Sequence, residues 1–196
     1  MGNTTQSEKP GPPARLRSAT WLSLPLVVGA VVTAGLYVFG TQHVPVYSTS
    51  LFGQTAADTL PLKSWLGTGL LALAGVQLAL ALWMYGRLPG AGVAPLRAAT
   101  GHRLVGACAL LLTLPIAYHC AFAYGVQTHL DTRVAVHSLA GCFLYGAFAA
   151  KVTIVRSERY PGWAFPLAGG ILVTLVAVLW YTSALWYFND YRLPIL

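Results

Sequence analysis

Charged side chains are scarce in this chain. Asp, Glu, Lys and Arg make up 9% of its 196 residues, whereas hydrophobic residues make up 56%. A soluble domain usually carries about a quarter charged residues. A chain this apolar cannot cover its own surface with polar groups, so its composition excludes an ordinary water-soluble domain and predicts a protein embedded in lipid.

Buried acids, paired cysteines and catalytic motifs are also missing. No Asp or Glu falls within any long apolar run, which weighs against a proton-coupled transporter. Cys108, Cys120 and Cys142 are odd in number and lack zinc-site spacing, which argues against a disulfide framework. The chain has no phosphate-binding loop, nucleophile elbow or paired carboxylates, so a hydrolase or an ATPase has no support.

Five long apolar runs dominate what is present. Each has about 20 residues or slightly more, the length that a helix needs to cross a hydrocarbon core about 30 Å thick. An open sheet cannot satisfy its backbone in lipid, so these runs are predicted to be helices. The predicted fold is an all-α integral membrane protein with five transmembrane helices. The predicted spans are residues 20–40, 64–86, 101–123, 134–155 and 163–188.

The polar stretch 1–19 is rich in proline near Gly11 and is predicted to be a disordered cytoplasmic tail, followed by one five-helix transmembrane domain at 20–196. The first apolar run exceeds the 7–15 residues usual for a signal peptide and precedes no convincing cleavage site. We therefore expect the first helix to be retained. Cleavage, the alternative, would leave four helices.

Lysine and arginine placement predicts the orientation. With a cytoplasmic N-terminus, nine of the twelve cationic residues lie on the cytoplasmic side, and only Lys63, Arg133 and Arg192 lie outside. This bias follows the positive-inside rule and places the C-terminus on the extracytoplasmic side of a bacterial plasma membrane. The net charge of +7 is spread between apolar runs, which argues against nucleic-acid binding.

Two of the five histidines lie inside predicted helices. His119 is about one turn before the end of the third helix, and His137 is about one turn after the start of the fourth, so they share roughly one depth. Consecutive helices joined by a short loop are expected to be antiparallel neighbours. Two imidazoles so placed are predicted to be axial ligands of one haem near the outer face.

Two neighbours of His137 support this hypothesis. Gly141 lies one turn below it on the same helix face, where the missing side chain would let a flat ring approach the backbone. Arg133 lies one turn above it, where a guanidinium is suited to bind a haem propionate.

Other interpretations of the histidines stay open. His119 and His137 are also suited to a structural hydrogen bond between helices. A copper or zinc ion at the outer face would use His43, His119, His129 or His137. His102 is about 25 Å from His119 along a straight helix, so these two cannot share an iron. His102 is then an interfacial residue or a contact for a quinone or a lipid headgroup.

Three motifs carry a family resemblance. They are His102-Arg103-x-x-Gly106, Leu114-Pro115-x-Ala117-Tyr118-His119-Cys120 and His137-Ser138-x-x-Gly141-Cys142. The stretch that holds them resembles small uncharacterised multi-pass membrane proteins of actinobacteria and, more generally, cytochrome b561-like and ferric-reductase-like haem proteins. The resemblance implies electron transfer through haem b, with His119 and His137 as ligands. Cytochrome b561 proteins typically use four histidines for two haems, whereas this chain offers one pair.

These observations together predict a membrane-bound b-type cytochrome subunit with one bis-histidine haem. Its expected partners are the lipid bilayer and either a quinone or an extracytoplasmic redox protein, and it would serve as the electron-transfer subunit of an oxidoreductase. The alternative function is a non-redox scaffold or assembly subunit of a larger membrane complex.

Overall fold

The computed structural model describes residues 14–157 and 159–193, and within these ranges all regular secondary structure is helical. The helices are α1 (Ala14–Gln42), α2 (Ala56–Met84), α3 (Arg97–His119), α4 (Thr132–Arg156) and α5 (Ala164–Trp180). α3 continues into a π-helical segment at Cys120–Tyr124. α5 continues into another at Tyr181–Leu185 and ends in a single turn at Trp186–Phe188.

Each of the five helices is long and apolar enough to cross a membrane. The qualifying segments among the described residues are Ser23–Gln42, Ala57–Met84, Arg97–Tyr124, Thr132–Arg156 and Ala164–Phe188. The predicted number of such helices is therefore confirmed. α1 begins at Ala14, inside the stretch predicted to be a disordered tail, because Ala14 to Leu16 are good helix formers. Residues 1–13 of that tail lie outside the described residues.

The helices pack in an order that differs from their order in the chain. α2 packs against α3 and α5, while α4 packs against α5 and α1. α3 and α4 are consecutive, yet their backbones do not approach each other as closely as those of the pairs above, although side chains of both helices line one cavity. In packing order the helices are therefore α3, α2, α5, α4 and α1, and the outer end of α1 also contacts the segment after α3, where Phe39 packs on Phe122.

The contact between α1 and α4 depends on small residues. A Cβ atom built on Gly146 would lie 2.5 Å from the carbonyl oxygen of Gly29, so only glycine lets these two backbones approach so closely. Such contacts are common between membrane helices, where close van der Waals packing replaces the hydrophobic effect. α4 is drawn towards α1 by this contact, and its opposite side packs on α5 through a core of Leu70, Leu144 and Val176.

The connections at residues 43–55 and 125–131 lie at one end of the bundle, here named the outer end after the predicted orientation; 85–96 and 157–163 lie at the inner end. Residues 43–55 fold over the outer end as a cap. The backbone amide of Val46 donates to the carbonyl oxygen of Phe122 at 3.1 Å, and the side chain of Leu51 is only 3% exposed. This cap closes the outer end above α2 and α3.

Candidate functional site

His137 lies in the second turn of α4 and is held in one orientation by α5. Its Nδ1 atom is 2.9 Å from the hydroxyl oxygen of Thr182. That hydroxyl donates to the carbonyl oxygen of Val178 at 2.7 Å, so it accepts the hydrogen bond from His137. The imidazole proton is therefore on Nδ1, and the Nε2 lone pair has no hydrogen-bond partner in the described part of the chain.

Thr182 reaches His137 from the π-helical segment Tyr181–Leu185. A π turn adds a residue to the α-helical repeat and so changes the direction of the side chains that follow; such segments are frequent at functional sites. Thr182 is 1% exposed and is fixed by its bond to Val178. The local distortion of α5 thus supplies a rigid acceptor for the imidazole.

His137 borders a cavity with a volume of about 150 Å³. The wall is mostly apolar and comes from α2, α3, α4 and α5. The polar and small residues of this wall include Lys63, Ser64, Thr113, Cys120, His137, Gly141, Tyr145, Trp180 and Ser183. The hydroxyls of Ser64, Thr113 and Ser183 donate to carbonyl oxygens of their own helices. These three hydroxyls of the wall thus already donate within their helices, whereas His137 Nε2 has no hydrogen-bond partner among the described residues.

Gly141 also borders the cavity, one helical turn from His137. Apart from its two chain neighbours and the backbone of its own helix, no heavy atom of the described residues lies within 4 Å of a Cβ atom built on it. The space beside Gly141 is therefore open. His137 and Gly141 thus lie one turn apart on α4, and both border the cavity.

His119 lies at the end of α3 but is not part of the cavity wall. Its ring is 2% exposed, and its Nε2 atom is 2.9 Å from the carbonyl oxygen of Thr49 in the cap. Its Nδ1 atom is 3.4 Å from the Nζ atom of Lys63. The imidazole therefore donates through Nε2 and accepts through Nδ1. The structure does not place His119 and His137 face to face across the cavity, and both nitrogens of His119 have partners.

Lys63 joins the His119 network to the cavity wall. Its Nζ atom contacts His119 and lies 4.6 Å from the ring centroid of Tyr124, a cation–π distance. Lys63 also lines the cavity near His137. An ammonium group thus stands at the outer part of the wall.

Arg133 contacts the same region from the first turn of α4. Its Nη1 atom donates to the carbonyl oxygen of Thr182 at 3.0 Å, and its guanidinium lies 3.9 Å above the ring of Trp186. Its Nη2 atom is 3.9 Å from a carboxylate oxygen of Asp131. Arg133 therefore fixes the backbone next to the partner of His137 and brings a second cation to the outer end.

One comparison with known proteins identifies a family. Residues 22–195 match the model of a family described as "Family of unknown function (DUF6529)". The chain belongs to the DUF6529 family. No curated protein and no solved structure matches it. The match includes Lys63, His119 and His137, so the site lies within the family region of this DUF6529 protein.

The remaining histidines of the DUF6529 protein lie apart from the cavity. His43 is stacked on Phe39, and its Nε2 atom is 3.1 Å from the carbonyl oxygen of Phe122. His129 is exposed in the connection before α4. In residues 14–157 and 159–193, no three His, Cys, Asp or Glu side chains are grouped so that they could hold a metal ion.

Sequence reasoning missed Lys63 and Thr182. The predicted second span began at residue 64, whereas α2 begins at Ala56, so Lys63 is inside the helix rather than in the loop. A helical wheel extended two turns upstream of the apolar run would have placed Lys63 on a helix face. Thr182 carries no such signal, because its position depends on the π-helical segment.

Proposed function

We propose that this DUF6529 protein is a multi-pass protein of the bacterial plasma membrane that binds one b-type haem and transfers electrons, with His137 as axial ligand. Two observations support this proposal: His137 lines a mostly apolar cavity, and its Nε2 atom has no hydrogen-bond partner in the described part of the chain. A histidine ligand almost always donates its other N–H to a fixed acceptor, as His137 does to Thr182. The haem supplies one-electron redox chemistry when bound.

The cavity next to His137 is smaller than a porphyrin. Its volume of about 150 Å³ is below the roughly 300–1,000 Å³ of typical ligand pockets. A porphyrin therefore requires more room than the four walls enclose. That room would come from the part of α4 at Gly141, where a Cβ atom built on the glycine meets no neighbouring side chain.

The two cations at the outer end suit the carboxylates of the haem. Lys63 lines the cavity, and Arg133 lies one turn above His137. Guanidinium and ammonium groups bind carboxylates through charge-assisted hydrogen bonds. Arg133 would keep its contact with Thr182 and use its remaining N–H groups, whereas Lys63 would exchange its contact with His119 for a propionate.

His119 as the second axial ligand stays a prediction. Its Nε2 atom donates to Thr49, so ligation of iron requires that hydrogen bond to break and the cap to shift. A haem with His137 alone would be five-coordinate and high-spin, whereas ligation by both histidines would give a six-coordinate, low-spin haem. The spin state of the iron therefore separates the two arrangements.

The absorption spectrum of the purified chain tests the proposal. After expression with sufficient haem, the reduced-minus-oxidised difference spectrum is expected to show the bands of a b-type cytochrome. Pyridine haemochrome analysis then counts one haem per chain. A colourless preparation that contains no haem would contradict the proposal, and it would favour the alternative function of a non-redox scaffold if partner subunits co-purify.

We also propose that the N-terminus is cytoplasmic and the C-terminus extracytoplasmic, which places the cavity towards the outer side and opens it to a quinol or an extracytoplasmic redox protein. The charge count of nine cations against three supports this orientation. Fusion of alkaline phosphatase to the C-terminus is expected to give an active enzyme, because this reporter folds only outside the cytoplasm. Activity of the N-terminal fusion instead of the C-terminal one would reverse the orientation.

A further inference from the structure

The connection between α2 and α3 at the inner end contains a stretch without any polar side chain. Its nine residues from 88 to 96 read Leu-Pro-Gly-Ala-Gly-Val-Ala-Pro-Leu, and Arg87 and Arg97 stand on either side of them. We name residues 88–96 the apolar loop. In water its side chains would keep their apolar surface hydrated, which is unfavourable. The composition of the apolar loop therefore favours contact with something other than water.

The bundle itself does not cover the apolar loop. Val93 and Leu96 are each 97% exposed, more than any other large hydrophobic residue in the described part of the chain. Pro89 and Pro95 are exposed as well. An apolar patch on a protein surface marks a site of contact with a membrane or with another protein. The level of the loop relative to the bilayer separates these two kinds of partner.

The indole of Trp83 fixes that level. Trp83 is the last residue but one of α2, and its Nε1 atom donates to the carbonyl oxygens of Ala91 at 3.1 Å and Gly92 at 3.2 Å. Val93 directly follows Gly92, so these hydrogen bonds hold it beside the end of α2. Leu96 directly precedes the first residue of α3. Both exposed side chains thus lie at the ends of helices that are long and apolar enough to span a membrane.

The length of α2 places its end at the bilayer surface. The apolar segment Ala57–Met84 has 28 residues, which is about 42 Å at 1.5 Å per residue and matches the roughly 40–45 Å of a bilayer with its headgroup regions. Trp83 near the end of this segment is therefore at the level of the headgroups, where tryptophan is enriched in membrane proteins. The side chains held beside it are at the same level.

The charges on either side of the loop suit this level. Neither Arg87 nor Arg97 forms an ion pair with a carboxylate in the described part of the chain. The three described carboxylates, Asp58, Asp131 and Asp190, all lie towards the outer end. Lipid phosphates are the anions present at the bilayer surface, and a guanidinium binds them through charge-assisted hydrogen bonds.

We propose that the apolar loop anchors the inner end in the membrane surface. Val93 and Leu96 insert at the boundary between headgroups and acyl chains, Arg87 and Arg97 bind lipid phosphates, and Trp83 holds the loop at this level. Apolar side chains combined with cations are typical of segments that lie in this boundary. The partner of this surface is thus lipid and not a protein subunit. The anchor shares no residue with the cavity wall, so it is independent of the proposed haem.

Photocrosslinking of the full-length protein in the membranes of the expressing bacterium tests the anchor. The photoreactive residue p-benzoylphenylalanine replaces Val93, and mass spectrometry of the purified, digested chain identifies its adducts after illumination. We expect a lipid adduct at this position. The same probe at Leu111, which lies in α3 and is 63% exposed, is the positive control, and exposed His129 in an outer-end connection is the comparison. With an adduct at Leu111, a missing lipid adduct at Val93, or a crosslink to protein there, would overturn the proposal.

The variant Trp83→Phe tests what holds the loop at the bilayer surface. It removes the donor to Ala91 and Gly92 but keeps an aromatic ring. The yield of the lipid adduct at residue 93 is expected to fall roughly fivefold, the factor set by one hydrogen bond of typical net strength. Trp163→Phe, at another exposed tryptophan of the inner end, is the matched control and should leave the yield unchanged. Equal yields in the two variants would refute the role of Trp83.

Discussion

The variant His137→Ala is expected to abolish the b-type absorption bands while the chain remains folded in the membrane. His137 lines the cavity and its Nε2 atom has no hydrogen-bond partner among the described residues, so its removal would leave the proposed haem iron without its protein ligand. Alanine is a good helix former, and α4 keeps its packing on α1 and α5. Spectra of the purified variant, normalised to protein, give the haem content.

A graded variant separates ligation from folding. Thr182→Val removes the acceptor of the His137 Nδ1 hydrogen bond but preserves the side-chain shape. Loss of such a supporting contact typically weakens metal binding about 10- to 100-fold, so haem affinity should fall without vanishing. His129→Ala, at an exposed histidine in a connection, is the control and should leave the spectrum unchanged. Full haem content in His137→Ala would disprove its role as a ligand.

The same preparation decides the role of His119. If His119 is the second ligand, His119→Ala converts a low-spin haem into a high-spin one, which electron paramagnetic resonance detects. If the wild-type haem is already high-spin, His119 serves only its hydrogen bonds to Thr49 and Lys63. The variant His119→Gln still offers a side-chain donor to the carbonyl oxygen of Thr49. A change of spin state that occurs in His119→Ala but not in His119→Gln would therefore come from loss of the contact with the cap.

A bulky side chain at Gly141 on α4 is the second change that is expected to reduce haem binding strongly. Gly141→Phe is expected to remove most of the bound haem, because the phenyl ring would occupy the cavity space next to His137. Apart from the two chain neighbours and the backbone of α4, no heavy atom of the described residues lies within 4 Å of a Cβ atom at this position, so the variant is not expected to disturb the packing of the apoprotein. Haem content and thermal unfolding of the apoprotein are measured together.

Gly141→Ala is the matched control for steric blocking. It should retain haem and raise the apoprotein's stability by up to about 1 kcal/mol, because alanine replaces glycine in a helix without meeting a neighbour. Haem loss in Gly141→Phe together with unchanged unfolding would locate the cofactor in the cavity. Normal haem content in Gly141→Phe would place the haem elsewhere.

The sequence predicted the number of helices well because hydropathy reports directly on the length of apolar runs. It misplaced their ends, since backbone hydrogen bonding continues past the apolar core into the interface. α2 begins at Ala56 rather than at the predicted residue 64, and α4 begins at Thr132 rather than at 134. Because the predicted start of α2 was too late, Lys63 was assigned to a loop and was not considered as a residue that faces the bundle.

The sequence did not predict which helices pack together. A membrane helix is apolar on every face, so a hydrophobic stripe does not mark the side that meets a partner. The contact of Gly29 with Gly146 brings α4 close to α1, whereas α3 and α4 face one cavity with their backbones further apart. The sequence placed His137 and Gly141 on one face of α4 correctly, because this depends only on the repeat of a single helix. It did not predict that His119 lies outside the cavity wall, because the position of His119 depends on the packing of two helices and on the cap.

The cap also links polar groups of the outer end into one chain of contacts. The carbonyl oxygen of Thr49 accepts from His119 Nε2, and His119 Nδ1 accepts from Lys63, whose side chain borders the cavity. A movement of residues 43–55 would therefore release His119 and, through it, the ammonium group at the cavity wall, so this loop can influence a cavity that it does not line.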